Sequence, residues 1–124
     1  MEMKKILVVD DSKVITDLVK LMLEKSGYGC TAANSAKECL ELLQKEKFDL
    51  VILDISMPEV SGLDVLDAIK NDERQKGTKV VLFTASSPTE TELEGYMAKG
   101  AVGLIRKPVK KEALIAQLEK YLGS

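Results

Sequence analysis

The chain has 124 residues, 45% of them hydrophobic, with eighteen basic against twenty acidic side chains and a formal charge of −2. That length and apolar content suit one domain with a proper core, and the charge argues against direct nucleic-acid binding through bulk electrostatics, leaving only a local basic patch around Arg106, Lys107, Lys110 and Lys111. There is no histidine, which excludes catalysis by this chain's own imidazoles and any His-ligated metal. No apolar run is long enough to span a bilayer, and the apolar stretch after Lys5 is too short for a signal-peptide core, so a cytoplasmic protein without membrane attachment is expected. Cys30 and Cys39 have no metal-like spacing and read as reduced, packed thiols.

Residues 6–9 form a short apolar run ending in Asp10-Asp11, which reads as a strand, and Ser12 follows as an N-cap. Val14, Leu18, Leu21 and Met22 then recur at helical spacing, with Asp17, Lys20 and Glu24 between them, and Gly27 stops that helix. Residues 28–33 make a second, weaker strand. Asn34 and Ser35 open a helix striped by Ala36, Cys39, Leu40 and Leu43. Residues 49–54 are the most informative stretch: Leu50-Val51-Ile52-Leu53 between two aspartates, a pattern that fits a strand buried on both faces. A loop containing Ser56, Met57, Pro58, Glu59 and Gly62 leads to a third helix outlined by Leu63, Leu66 and Ile69. Residues 79–85 are a fourth strand. Ser87-Pro88-Thr89-Glu90 combine an N-cap, a proline at the first helical position and a capping-box glutamate, and Leu93, Tyr96 and Met97 stripe the helix that follows until Gly100. Residues 102–105 are a fifth strand, closed by Lys107-Pro108, and Leu114, Leu118 and Leu122 define the last helix.

Five strands alternating with five helices make one α/β unit. The strands must be parallel with right-handed crossovers, and a flavodoxin-like (βα)5 sandwich with strand order 2-1-3-4-5 is the expected topology. That order sets the ends of the first and third strands side by side, so Asp10, Asp11 and Asp54 converge. Two carboxylates about 5 Å apart repel by roughly 3 kcal/mol at an effective dielectric of about 20. A fold tolerates such a cluster when it binds a cation or shifts its pKa values, and an all-oxygen acidic site with few protein ligands suits Mg²⁺. Singly, Asp11 is an ordinary helix cap, Asp54 an ordinary turn residue, Thr84 an ordinary strand residue and Lys107 an ordinary surface lysine. Together they place a nucleophilic carboxylate, a hydroxyl and an ammonium around one crevice at the ends of the strands.

The segments Val8-Val9-Asp10-Asp11-Ser12, Leu53-Asp54-Ile55-Ser56-Met57-Pro58, Phe83-Thr84-Ala85 and Lys107-Pro108 resemble, in order and spacing, the receiver domain of two-component response regulators. The resemblance covers nearly the whole chain, so residues 1–124 are expected to be a single receiver domain. Only Gly123 and Ser124 follow the last helix, and no output domain is expected. The resemblance implies that Asp54 accepts a phosphoryl group from a phosphohistidine of a sensor histidine kinase or histidine phosphotransfer protein. It implies that Asp10, Asp11, Asp54 and the backbone carbonyl of Ser56 hold Mg²⁺, and that Thr84 and Lys107 engage the phosphoryl oxygens. It further implies that a downstream protein target reads the face of helix four, strand five and helix five. Such a domain assists its own phosphorylation and dephosphorylation without being an enzyme in the conventional sense, and would be a monomer or weak dimer. The Lys107-Pro108 bond is expected to be cis. Ser56 and Ser86 flank the pocket and imply an acyl phosphate that is not exceptionally long-lived.

One position departs from the family's pattern. The residue three before the lysine is usually Tyr or Phe, and here it is Leu104, which leaves Tyr96 or Met97 on helix four as alternative switch contacts. The stretch between Thr84 and Lys107 is also about one residue longer than the pattern, near residues 87–89. Competing readings are a phosphorylation-independent pseudo-receiver that is purely an interaction module, a receiver excised from a larger regulator or hybrid kinase, and an Mg²⁺-dependent hydrolase of the haloacid-dehalogenase type. The last requires a second acid two residues after Asp54, where this chain has Ser56.

Overall fold

A computed structural model describes residues 3–58 and 60–123; Glu59, read above as part of a loop, and the terminal residues 1, 2 and 124 lie outside them. The elements are β1 (Lys5–Val9), α1 (Lys13–Lys25), β2 (Gly29–Ala33), α2 (Ala36–Lys45), β3 (Leu50–Asp54), α3 (Gly62–Asn71), β4 (Lys79–Thr84), α4 (Glu90–Ala98), β5 (Gly103–Arg106) and α5 (Lys111–Leu122). All strand pairs are parallel and the order is β2-β1-β3-β4-β5, as expected. The reason lies in β3, every residue of which is buried. A strand apolar on both faces needs helices on both faces, which only crossover connections supply.

Strand alternation divides the core in two. Leu7, Val9, Val51, Leu53 and Leu82 face α2 and α3, which present Cys39, Leu43, Val65, Leu66 and Ile69. Ile6, Val8, Ile52, Val81 and Phe83 face α1 and α5, which present Val19, Leu23, Leu114 and Leu118. Burial without a charged partner pushes the Cys39 thiol up to about 12, so this cysteine behaves as a small apolar core residue. Both cysteines are free. No helix of the described residues is long and apolar enough to cross a membrane.

Two helices differ from the sequence expectation. In α1 three of the four residues of the apolar stripe read from the sequence point away from the core: Val14 is 78% exposed, Leu18 51% and Leu21 50%, while Met22 is partly buried against the layer of α1 and α5. The buried residues are Thr16, Val19 and Leu23. This helix carries apolar residues on more than one face, and a buried threonine lies on the inward one. The Thr16 hydroxyl donates to the Lys13 carbonyl (3.1 Å) and accepts from Asn34 Nδ2 (3.0 Å), so Thr16 sits inward with its polar atom satisfied. Helix α4 starts two residues later than expected. Its N-cap is Thr89, with a capping box to Glu92, so Ser87 and Pro88 belong to the preceding loop and Glu90 to the first turn. Ser87-x-x-Glu90 and Thr89-x-x-Glu92 are overlapping boxes, and local chemistry alone does not rank them. No side chain of α4 is fully buried among the described residues, and of the expected stripe only Tyr96 is partly covered.

The rotation of α1 has a measurable consequence. Leu18→Ala is expected to change stability by less than about 0.5 kcal/mol, whereas Leu23→Ala should cost about 3 kcal/mol. Urea denaturation of the two variants checks this, and comparable losses would contradict the observed face.

Candidate functional site

Pairing of Val9 with Leu53 brings the residues that follow them, Asp10 and Asp54, side by side. Both are nearly inaccessible, at 1% and 2% exposure, while Asp11 faces solvent. The two buried carboxylates are held in the same way. Asp10 Oδ1 accepts the N–H of Ser12 at 2.9 Å, and Asp54 Oδ1 accepts the N–H of Ser56 at 3.0 Å. Each is a side-chain turn that fixes one oxygen at the start of a loop and leaves the other free. The free oxygens meet one cation: Lys107 Nζ lies 2.6 Å from Asp10 Oδ2 and 3.5 Å from Asp54 Oδ2. Lys107 follows β5 across a cis bond to Pro108, as expected. Its ammonium also stands 5.0 Å from the centroid of the Phe83 ring, within range of a cation–π attraction.

Asp54 is pushed above the ordinary carboxylate range. Burial is the main cause, the Ser56 N–H opposes it, the Asp10 charge adds to it and Lys107 opposes it. Thr84, at the end of β4, is 4% exposed. Its Oγ1 accepts the N–H of Ser86 at 3.1 Å, and its own hydroxyl hydrogen has no acceptor among the described residues. Thus Asp10, Asp11 and Asp54 come together, with Thr84 and Lys107 at the ends of the neighbouring strands. Ser56 enters the site through its N–H on Asp54.

Asp10, Asp11 and Asp54 each offer an oxygen lying within 4.8 Å of the others. Asp10 Oδ2 is buried and, its ion pair with Lys107 aside, has no hydrogen-bond partner among the described residues. A cluster of three carboxylates faced by a single ammonium, with Asp10 Oδ2 buried and partnered by that ammonium alone, fits a hard divalent cation that keeps part of its water shell, so the residues present suit Mg²⁺.

Two contributors were not singled out from the sequence. Asn34 Nδ2 donates to the Asp10 carbonyl at 2.9 Å as well as to Thr16, tying the loop after β1 to the end of β2. Its signal was a position directly after a strand, where it read only as a helix opener. Gly62 lies against the Asp54 backbone, where a Cβ would overlap the Asp54 carbonyl, and its N–H donates to the Ile55 carbonyl at 3.0 Å. The loop that leaves Asp54 therefore closes onto a residue with no side chain.

An acidic pocket beside a single anchored lysine suits a carboxylate that gains and loses an anionic group, and the class of domain built this way on a doubly wound sheet is the receiver of two-component signalling. The chain belongs to that family: residues 6–119 match the response regulator receiver domain. It is 32% identical over 120 residues to the polar-differentiation response regulator DivK of Brucella ovis, covering 97% of each chain. It is 30% identical over 119 residues to the phosphate regulon transcriptional regulatory protein PhoB of Pseudomonas aeruginosa, covering 96% of this chain and 52% of that one. Among solved structures it is similar to the chemotaxis protein CheY4 of Vibrio cholerae, with a TM-score of 0.91 at 34% identity, covering 98% of this chain and 100% of that one. Receiver domains are signalling switches that interact with kinases and downstream targets rather than conventional enzymes.

The Asp54 environment makes a pH-dependent prediction. A carboxyl whose folded pKa is raised contributes stability that is fully present below its unfolded pKa and is lost as pH rises through the folded value. Ionised Asp54 is therefore a liability at neutral pH. In Mg²⁺-free buffer, Asp54→Asn is expected to raise Tm at pH 7. The gain should shrink as pH falls through the raised folded value and be gone below about 4, where the carboxyl is protonated in both states. Thermal melts of both proteins across pH check this; an unchanged or lower Tm at neutral pH would contradict it.

Proposed function

We propose that this chain is a phosphorylation-dependent switch in which Asp54 accepts a phosphoryl group. The observation that carries the reading is the Asp54 carboxylate itself: one oxygen is held by the Ser56 N–H, while the other faces Lys107 at 3.5 Å beside Asp10. That free oxygen would attack phosphorus, the P–N bond of a phosphohistidine would break, and the released imidazole would leave with the bonding pair and take up a proton. The chain has no histidine of its own, so the donor imidazole must come from a partner: a sensor histidine kinase or a histidine phosphotransfer protein. Mg²⁺ held by Asp10, Asp11, Asp54 and the Ser56 carbonyl would offset charge on the transferring group. Lys107, already beside both carboxylates, would take one phosphoryl oxygen, and the Thr84 hydroxyl would donate to another. Ser56 and Ser86 are exposed, which leaves the acyl phosphate open to water and gives it a limited lifetime. Output would pass to a downstream target through α4, β5 and α5, with the protein acting in the cytoplasm as a monomer or weak dimer.

The exposed face of α1 supports a place for the donor. Leu18, itself half exposed, lines an apolar groove of about 340 Å³ whose walls include Ile15, Met22, Phe83, Pro108 and Val109 and which runs up to Lys107. A donor seated there would bring its imidazole to the mouth of the site, and the apolar patch would be covered.

Two experiments test these statements. Incubation with acetyl phosphate and Mg²⁺ should add one phosphoryl group by intact mass; Asp54→Ala should show no gain, and a chelator should abolish it. No gain in the wild type would overturn the reading and favour a phosphorylation-independent interaction module, for which Leu104 is the supporting residue. For the donor face, Leu18→Glu should slow transfer from a phosphohistidine protein at least tenfold while leaving labelling by acetyl phosphate unchanged. Equal slowing of both reactions, or of neither, would remove α1 as the docking face.

A further inference from the structure

The three carboxylates at the ends of β1 and β3 are not equally held. Asp10 has partners of its own, the Ser12 N–H at 2.9 Å and Lys107 Nζ at 2.6 Å. Asp11 is exposed, and among the described residues no hydrogen bond or ion pair fixes its carboxylate. An oxygen of Asp11 nevertheless lies within 4.8 Å of one on each of the other two acids. Its direction therefore follows the peptide that joins it to Asp10. The end of β2 clamps the Asp10 main chain on both sides: the Asp10 N–H donates to the Ala33 carbonyl at 3.1 Å, and the Asp10 carbonyl, half of the peptide leading to Asp11, accepts Asn34 Nδ2 at 2.9 Å.

Asn34 is itself firmly fixed. Its N–H donates to Glu38 Oε1 at 3.2 Å, and its neighbour Ser35 caps α2 by accepting the Glu38 N–H at 3.1 Å. The Asn34 backbone is thus tied to the first turn of α2. Its side-chain amide donates a second hydrogen to Thr16 Oγ1 at 3.0 Å. Thr16 is fully buried, and its hydroxyl is turned by its own bond to the Lys13 carbonyl at 3.1 Å. An amide nitrogen carries two hydrogens, and here one goes to the Asp10 carbonyl and the other to the threonine that holds the amide in place.

We propose that Asn34 is a positioning residue for the divalent cation. By setting the plane of the Asp10–Asp11 peptide it aims the Asp11 carboxylate at the site, and Thr16 holds Asn34 to that task. The proposal rests on the metal reading of the acidic cluster above and names residues outside the cluster that set its affinity. Mg²⁺ demands near-ideal octahedral geometry, so a ligand whose peptide is free to tilt holds it less well. Groups that orient a metal's ligands typically contribute about 10–100-fold in affinity. Asn34 acts through Asp10 and Asp11 alone, so its effect is on how readily the site fills, and a filled site works as in the wild type.

The test is a titration with Mg²⁺ alone, followed by the amide resonances of residues 10–12 and 54–57, beside labelling by acetyl phosphate across Mg²⁺ concentrations. Asn34→Ala should raise the Mg²⁺ dissociation constant about tenfold. Its labelling should be slow at low Mg²⁺ and recover at saturating Mg²⁺. Thr78→Val breaks a buried hydroxyl bond to Gln75 at the opposite end of the sheet and should leave the constant within about twofold of wild type, which separates the effect from a general loss of stability. Should Asn34→Ala not fold, Thr16 decides the matter: Thr16→Val should weaken Mg²⁺ at least about threefold, and Thr16→Ser should restore it. An unchanged constant in Asn34→Ala, an equal loss in Thr78→Val, or slow labelling that saturating Mg²⁺ does not rescue would overturn the proposal. Absence of any Mg²⁺-dependent shift in the wild type would instead overturn the metal reading and this proposal together.

Discussion

Repulsion between Asp10 and Asp54 is the tension that organises this molecule. Parallel pairing of β1 with β3 leaves no way to separate them, and both are withdrawn from solvent. Each has one oxygen fixed by an N–H two residues further on, so neither can rotate away without breaking a hydrogen bond. Lys107, which follows β5, answers part of the charge. Three carboxylates against one ammonium still leave two negative charges when all are ionised, a deficit that matches one divalent cation. Much of the surrounding detail serves to hold these groups where they repel: Asn34 on the Asp10 carbonyl, Gly62 beneath the Asp54 carbonyl, and the Phe83 ring beside the lysine.

The site also straddles the sheet. Asp54 continues the alternation of Leu50 and Ile52, whose side chains face α1 and α5. Thr84 continues that of Val80 and Leu82, whose side chains face α2 and α3. The carboxyl of Asp54 and the hydroxyl of Thr84 thus leave neighbouring strand ends on opposite faces of the sheet, with the Lys107 ammonium 3.5 Å from Asp54 Oδ2.

Much of this was legible in the amino-acid order because it depends on short-range patterns with a definite period. The apolar runs ending in Asp10 and Asp54 mark buried strands, and strand alternation with helices implies the topology that brings the acids together. What was not legible depended on a choice between two locally equivalent options. Helix α1 has apolar residues on more than one face: the reading Val14, Leu18, Leu21 and Met22 was right only at Met22, and the inward face is that of Val19, Leu23 and Thr16, which is bonded to a residue from the end of β2. Helix α4 offers two capping boxes two residues apart. Asn34 and Gly62 contribute through backbone atoms of residues distant in sequence or across a loop, and neither residue type announces such a partner. Tyr96 lay on a stripe that read as an ordinary helix face, although most of that face is exposed.

A helix that gives no fully buried side chain to the core is one the fold scarcely constrains. Substitutions at Leu93, Glu94, Met97 or Ala98, all on the exposed surface of α4, alter shape and charge there with little consequence for folding. Asp10, Asp54 and Gly62 have no such latitude. After gene duplication, two copies of this domain could keep identical chemistry at the strand ends while their α4 surfaces drift apart. If partners read that surface, as proposed above, insulation between parallel pathways can evolve there without a passage through unstable intermediates.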